Sequence, residues 1–99
     1  MPHYFIDTQD GERCISDEDG IELPGLREAC DEAVRVLPDI AHDLLSRGNP
    51  RPCRGQLELV ATVRNERGLP LFRAALSLRT ERLVPDPASN LEYLLNPGR

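Results

Sequence analysis

The chain has 99 residues, with 17 acidic and 12 basic side chains and a formal net charge of −5 at neutral pH. Every basic residue is an arginine, which excludes Schiff-base chemistry on lysine and any phosphate-binding loop ending in Gly-Lys-Ser/Thr. The length predicts one small domain with a single core.

The start of the chain and its cysteines predict a cytoplasmic protein. The first residues lack the charged leader and apolar stretch of a secretory signal, and no apolar run is long enough to cross a membrane. Cys14, Cys30 and Cys53 are widely separated and show neither zinc-binding nor redox spacing. Free thiols in a reducing compartment are the simple interpretation.

The opening part of the chain predicts a β-hairpin and an extended link. Residues 3–8 are aromatic and β-branched, which is typical of a strand, and residues 13–16 return as a second strand after a turn at 9–12. A turn at residues 17–20 then leads into a brief extended link at 21–23.

The next segment predicts one long amphipathic helix. Its apolar residues recur at helical spacing and form one stripe: Leu26, Ala29, Cys30, Ala33, Val34, Leu37, Ile40, Ala41, Leu44 and Leu45. Gly48 is a natural stop for the helix. Pro38 lies inside the stripe, but the spacing continues past it, so we expect a kinked helix rather than two helices.

Two alternating segments predict a second, longer hairpin around a turn at residues 65–68. The first segment, 56–64, places Leu57, Leu59, Ala61 and Val63 on one face, and Glu58, Thr62 and Arg64 on the other. The second places Phe72, Ala74, Leu76 and Leu78 on one face, and Arg73, Ser77 and Arg79 on the other. Residues 1–82 therefore predict an α+β domain of β-β-α-β-β order, with a four-stranded antiparallel sheet and the long kinked helix packed on one face.

The composition changes after the second hairpin, so residues 83–99 are predicted to form a proline-rich C-terminal tail. Ser89 and Glu92 have capping-box spacing, which favours a short helical turn. The tail is too apolar for a solvated segment, and we expect it to dock through Leu91, Tyr93, Leu94 and Leu95.

Charge is unevenly distributed along the chain. Residues 1–46 carry a formal charge of −9 and residues 47–99 carry +4. The sheet face opposite the helix would present Arg64, Arg73 and Arg79, either as solvated side chains or as an anion- or partner-binding face. Arg47, Arg51 and Arg54 form a basic loop that could hold a phosphate. The loop has no aromatic residue for base stacking and the whole chain is acidic, both of which disfavour nucleic-acid binding.

No motif predicts a catalytic residue, a metal site or a cofactor. The sequence Asp17-x-Asp19-Gly20 resembles part of a calcium loop, but Ile15 and Leu26 would occupy positions that need oxygen ligands. The two histidines, His3 and His42, have no spacing that suggests a metal pair, and no serine lies in a nucleophile elbow.

The opening residues resemble a family of small bacterial proteins. The resemblance lies in residues 1–7, which read MPHYFID, in Asp10-Gly11, and in residues 17–24, which read DEDGIELP. Family members begin M-P-x-Y-F-F-D, continue with D-G and D-x-x-G-x-E-L-P, and follow with an Ala-rich amphipathic helix. The resemblance covers about residues 1–82. Because the family is a domain of unknown function, it implies an architecture and a cytosolic bacterial setting without an activity.

These observations predict a non-enzymatic protein-interaction module that forms a homodimer or binds another, unidentified protein. The reasons are the apolar tail, two sheet edges that invite pairing, and the lack of clustered catalytic chemistry. One alternative is an antitoxin-like regulatory module, by analogy of fold alone. Others are anion or nucleic-acid binding through the arginine-bearing sheet face, and an enzyme with a deep pocket lined by buried ionisable groups.

Overall fold

A computed structural model of the chain describes residues 1–11, 13–48 and 55–84. The elements in chain order are β1 (His3–Asp10), β2 (Arg13–Ile15), β3 (Ile21–Glu22), α1 (Leu26–Ser46), β4 (Gln56–Arg64) and β5 (Pro70–Arg79). One helix therefore packs on an antiparallel sheet, which confirms the predicted α+β fold.

Within the described residues the sheet has five strands, one more than predicted. Its main path runs in the order β2-β1-β4-β5, and β3 pairs with the N-terminal end of β1, where His3 lies opposite Glu22 and Tyr4 opposite Ile21. The sequence predicts only an extended link at residues 21–23, because two residues are too few to show the alternation that marks a strand.

The predicted alternation of β4 is confirmed and defines the core. Leu57, Leu59, Ala61 and Val63 are all buried against α1. The core is completed by Tyr4 from β1 and by Ala29, Ala33 and Leu37 from α1. On β5, Phe72, Ala74 and Leu76 pack against this cluster and remain partly exposed.

The helix ends where the sequence predicts and continues through Pro38 without a break. Gly48 follows it with a φ of 77°, the left-handed conformation that favours glycine after a helix. The prediction of a buried stripe is wrong at Leu26 and Val34, because Val34 is 52% exposed and Val36 packs against the core instead. The observed interface is therefore turned away from the flank that carries Val34.

Candidate functional site

The sheet face opposite α1, which we call the open face, carries a polar cluster at its β1 end. The Arg64 Nε donates to Asp7 Oδ2 at 2.8 Å, and Arg64 Nη2 donates to the backbone carbonyl of Asp17 at 2.8 Å. The guanidinium carbon lies 4.5 Å from the centroid of the Phe5 ring. The Arg64 and Asp7 side chains are 26% and 28% exposed, so the pair is partly shielded from water.

Asp17 joins the loop between β2 and β3 to the middle of β1. Its Oδ2 accepts the Ile6 N–H at 3.1 Å, and its Oδ1 accepts the N–H groups of Asp19 at 3.2 Å and Gly20 at 3.0 Å. In return, the Asp17 N–H donates to Asp7 Oδ1 at 2.9 Å. Because β2 pairs with residues 8–10 and β3 with residues 3–4, the carboxylate supplies the acceptor that a paired strand would have given Ile6.

The electrostatic environment of Asp17 favours its charged form. Burial raises the pKa of the Asp17 carboxyl. The N–H donors of Gly20, Ile6 and Asp19, together with the positive charge of Arg64, outweigh that effect and hold the pKa below its usual value. The negative charge is therefore part of the folded structure at neutral pH.

Gly20 lies beside this cluster at a position where a larger residue would overlap its neighbours. Its φ is 71°, and an added Cβ would lie 2.5 Å from the His3 ring and 2.8 Å from the Phe5 ring. The His3 ring is held in place, since its Nε2 lies 2.8 Å from the Asp19 carbonyl and its centroid 5.2 Å from that of Phe5. The loop backbone can thus approach the sheet closely only through glycine.

The three arginines predicted to share the open face differ in their availability. The register places Arg73 opposite Thr62 and Arg79 opposite Gln56, so both lie on the same face as Arg64. Arg73 and Arg79 are exposed, and neither forms an ion pair within the described residues. Arg64 instead donates from Nε to the Asp7 carboxylate and from Nη2 to the Asp17 carbonyl. A binding role for these three arginines stays a prediction, and Arg73 and Arg79 are the two whose side chains would contact a ligand.

The other predicted sites lie mostly outside the described residues. Arg47 of the basic loop pairs with Asp43 at 3.2 Å, whereas Arg51 and Arg54 lie in the undescribed segment 49–54. The predicted docking residues of the tail, which are Leu91, Tyr93, Leu94 and Leu95, lie in the undescribed segment 85–99.

The structure describes two of the three cysteines, and the environment of Cys30 disfavours its thiolate. Cys14 is exposed on β2, and Cys30 is half-buried on α1. Burial, with a contribution from the neighbouring Asp31 carboxylate, raises the pKa of the Cys30 thiol. A raised pKa lowers the thiolate fraction at neutral pH, which makes this thiol a weaker nucleophile. Cys53 lies outside the described residues.

A groove separates the C-terminal half of α1 from the β1–β2 side of the sheet. Its volume is about 370 Å³, with an apolar lining that includes Ile15, Ile40 and Leu44 and a charged rim that includes Asp39 and Arg47. The groove exists because the helix packs over β4 and β5, leaving the far side of the sheet less covered.

The opposite edge of the sheet is formed by β5, a ten-residue strand whose one partner among the described residues is β4. The Thr80 N–H donates to the Gly55 carbonyl at 3.3 Å, in register with the β4–β5 ladder. Because hydrogen-bonded pairs alternate in an antiparallel ladder, even-numbered β5 residues bond to β4. The N–H and C=O groups of Arg73, Ala75, Ser77 and Arg79 therefore point towards the outer edge.

Exposed apolar side chains accompany this edge, which sequence reasoning identified only in general terms. Leu71 is 37% exposed and Leu78 38% exposed, and Leu69, Leu83 and Val84 are also exposed. The pairing of Leu78 with Leu57 and of Phe72 with Val63 confirms that the two side chains share one face, but Leu78 remains exposed there. The combination of outward backbone groups and exposed leucines makes β5 the strongest candidate interaction surface.

A family model described as "Domain of unknown function (DUF6894)" matches residues 3–77. The chain belongs to this family. The finding confirms the resemblance to a small domain family of unknown function. No curated protein and no solved structure matches the chain.

The structure gives the opening motif of this DUF6894 chain an architectural role. Asp7, Asp17 and Gly20 are motif positions, and all three belong to the polar cluster. The carbonyl of Pro2 accepts the Leu23 N–H at 3.1 Å, which ties the two ends of the motif together. In this DUF6894 chain, these residues of the opening segment therefore connect β1, β3 and the loop between β2 and β3.

Within the described part of the chain, no helix combines the length and the apolar character needed to cross a bilayer. The same residues contain no cluster of three or more side chains that could hold a metal ion.

Proposed function

We propose that this protein is a non-enzymatic protein-interaction module that binds by adding a strand to the outer edge of β5. The observation that carries the proposal is the ten-residue β5 edge, with outward backbone groups at alternate positions and exposed Leu71 and Leu78 beside them. Strand addition uses main-chain hydrogen bonds for affinity and alternate side chains for specificity. The bacterial, cytosolic setting of this module rests on the resemblance of its opening residues.

The polar cluster supports a binding role over a catalytic one. The Asp17 carboxylate accepts three backbone N–H groups, and Arg64 donates to the Asp7 carboxylate and to the Asp17 backbone carbonyl. An acid–base or nucleophilic site needs a group with a hydrogen-bonding position available to a substrate. The engagement of Arg64 also weakens the case for anion or nucleic-acid binding, since it removes one of three expected cations from the open face.

Substitution of Ala75 by proline tests the proposal. The Ala75 N–H points to the outer edge, so proline removes a donor from the interaction surface without removing a bond to β4. We expect affinity capture from cells to recover one defined partner, either another protein or a second copy of this chain, with the wild type and with Ala75→Ser. The Ala75→Pro variant should not recover it. Equal recovery by all three proteins, or recovery by none, would refute strand addition at β5.

A further inference from the structure

We infer that the strand added to β5 is the β5 strand of a second copy, paired antiparallel about a two-fold axis at Ala75. This inference rests on the proposed function and names its partner. It is carried by the match between the edge and itself: the direction of its backbone groups, the spacing of its arginines and leucines, and an apolar helix flank above it.

Symmetry limits the possible registers. A two-fold axis between antiparallel strands stands perpendicular to the sheet, so each residue pairs with one on the same face. Centres at Ala74, Ala75 and Leu76 use nearly the whole of β5. A centre at Leu76 places Arg73 directly opposite Arg79 of the second copy, and like charges directly opposite are destabilising.

The backbone favours Ala75 over Ala74. With the axis at Ala75, Arg73 pairs with Ser77 of the second copy, Ala75 with Ala75 and Ser77 with Arg73, and all these residues have outward backbone groups. Each of the three pairs exchanges two hydrogen bonds, which gives six in a regular ladder. With the axis at Ala74, Ser77 would meet Leu71, which lies at the irregularity between the Val63 and Arg64 pairings. That register loses part of the regular ladder.

The side chains favour the same register. On the helix side, Phe72 lies opposite Leu78 of the second copy, and Ala74 lies opposite Leu76. On the open face, Arg73 lies opposite the uncharged Ser77 of the second copy, so no two like charges face each other directly. The partly exposed apolar side chains of β5 are thereby covered by equivalents from the other copy.

The helix supplies the second layer of the interface. Ile40 lines the groove on the β1–β2 side. At 100° per residue, Val34 and Leu45 lie about 120° and 140° around the helix from Ile40, on the flank that faces past β5. Each helix lies over β4 and β5, and neighbouring strands are about 4.8 Å apart, so the axes of the two helices would be roughly 10 Å apart, which is a packing distance. The second copy would thus cover Val34, the member of the predicted stripe that the single chain leaves 52% exposed.

Sedimentation of the full chain over a range of concentrations tests this inference, and we expect a reversible dimer. Ala75→Pro should raise the dissociation constant roughly 100-fold by removing both central N–H donors. Ala75→Ser keeps the donor and should leave the dissociation constant unchanged. Should the proline variant not fold, Ser77→Arg still tests the interface, because it places a like charge opposite Arg73 and should weaken the dimer.

Ser77→Asp tests the register itself. It places a carboxylate opposite Arg73 twice per dimer and should tighten the dimer about threefold to tenfold. With the axis at Ala74, residue 77 would face Leu71, and with the axis at Leu76 it would face Ala75, so in neither register would Asp lie directly opposite an arginine. Arg79 of the second copy lies diagonal to Arg73, so added salt should also tighten the dimer.

A strict monomer at every concentration, or a dimer unaffected by Ala75→Pro and Ser77→Arg, would overturn the inference. A dimer that Ser77→Asp fails to tighten would overturn the register. These failures differ from that of the proposed function, because a monomer whose capture of another protein depends on the Ala75 N–H would leave strand addition intact.

Discussion

Replacing Asp17 with alanine is expected to lower the free energy of unfolding by about 3 kcal/mol. The carboxylate accepts three backbone N–H groups, and one of them, from Ile6, lies in the middle of β1 with no strand beside it. Hydrogen bonds to a charged acceptor are the stronger class, and their loss would leave a half-buried donor unsatisfied. Urea unfolding followed by circular dichroism measures the change.

Glu18→Ala is the matched control for Asp17→Ala. Glu18 is exposed in the same loop, and its side chain makes no hydrogen bond within the described residues. We expect a change within about 0.5 kcal/mol for this variant. Equal losses in the two variants would show that the loop tolerates no substitution and that the carboxylate has no special role.

The pH dependence of the Asp17→Ala effect follows from the direction of the pKa shift. The folded-state pKa of Asp17 is depressed, so its charge contributes stability that is fully present above the unfolded-state pKa, about 3.9. This contribution is lost as the pH falls through the folded-state pKa. The difference in stability between wild type and variant should therefore be constant near neutral pH and shrink in acid.

Replacing Gly20 with alanine is expected to cost about 2–4 kcal/mol of unfolding free energy. Two effects combine, since a non-glycine residue is strained at a φ of 71° and its Cβ would overlap the rings of His3 and Phe5. The rings cannot move aside freely, because His3 is bonded to the Asp19 carbonyl and Phe5 lies under Arg64. Thermal unfolding compared with the wild type measures the loss.

Gly11→Ala separates the two effects in Gly20→Ala. Gly11 has a φ of 59°, but an added Cβ there would meet nothing within 4 Å. We expect about 1 kcal/mol from backbone strain alone. If both glycine variants lose the same amount, the close approach of the loop to the sheet contributes nothing.

Much of the fold could be predicted from periodicity. Alternation at Leu57–Val63 identified the buried face of β4, and helical spacing with Gly48 gave the end of α1. The width of the buried stripe could not be predicted, because it depends on where the helix lies across the sheet. The helix lies over β4 and β5, which exposes Val34 and buries part of Val36.

The role of Arg64 shows why the candidate site was harder to predict than the fold. Alternation places Arg64 on the open face, where a basic residue resembles a ligand-binding group. Its true partner, Asp7, lies 57 positions earlier in the chain. Strand order alone brings the two together, and the sequence pattern carried no information on the order of the strands.

The predicted fold implied that the sheet has open edges, but it did not show which strand forms them. Any open four-stranded sheet has two edges. The structure blocks parts of the β1 side with β2 and β3 and leaves β5 at the other side. The direction of its outward groups then follows from one bond, between the Thr80 N–H and the Gly55 carbonyl.

Amide hydrogen exchange of the full chain, resolved by residue, tests most directly the claim that a second copy covers the β5 edge. Above the dimer dissociation constant, the Arg73, Ala75 and Ser77 amides should exchange about as slowly as those of Ala74 and Leu76, which bond to β4. Dilution should speed the exchange of the Arg73, Ala75 and Ser77 amides and leave that of Ala74 and Leu76 slow. The Ala75→Pro substitution should likewise speed the exchange of the Arg73 and Ser77 amides. Rapid exchange of the odd-numbered amides at every concentration, beside protected even-numbered ones, would contradict the claim.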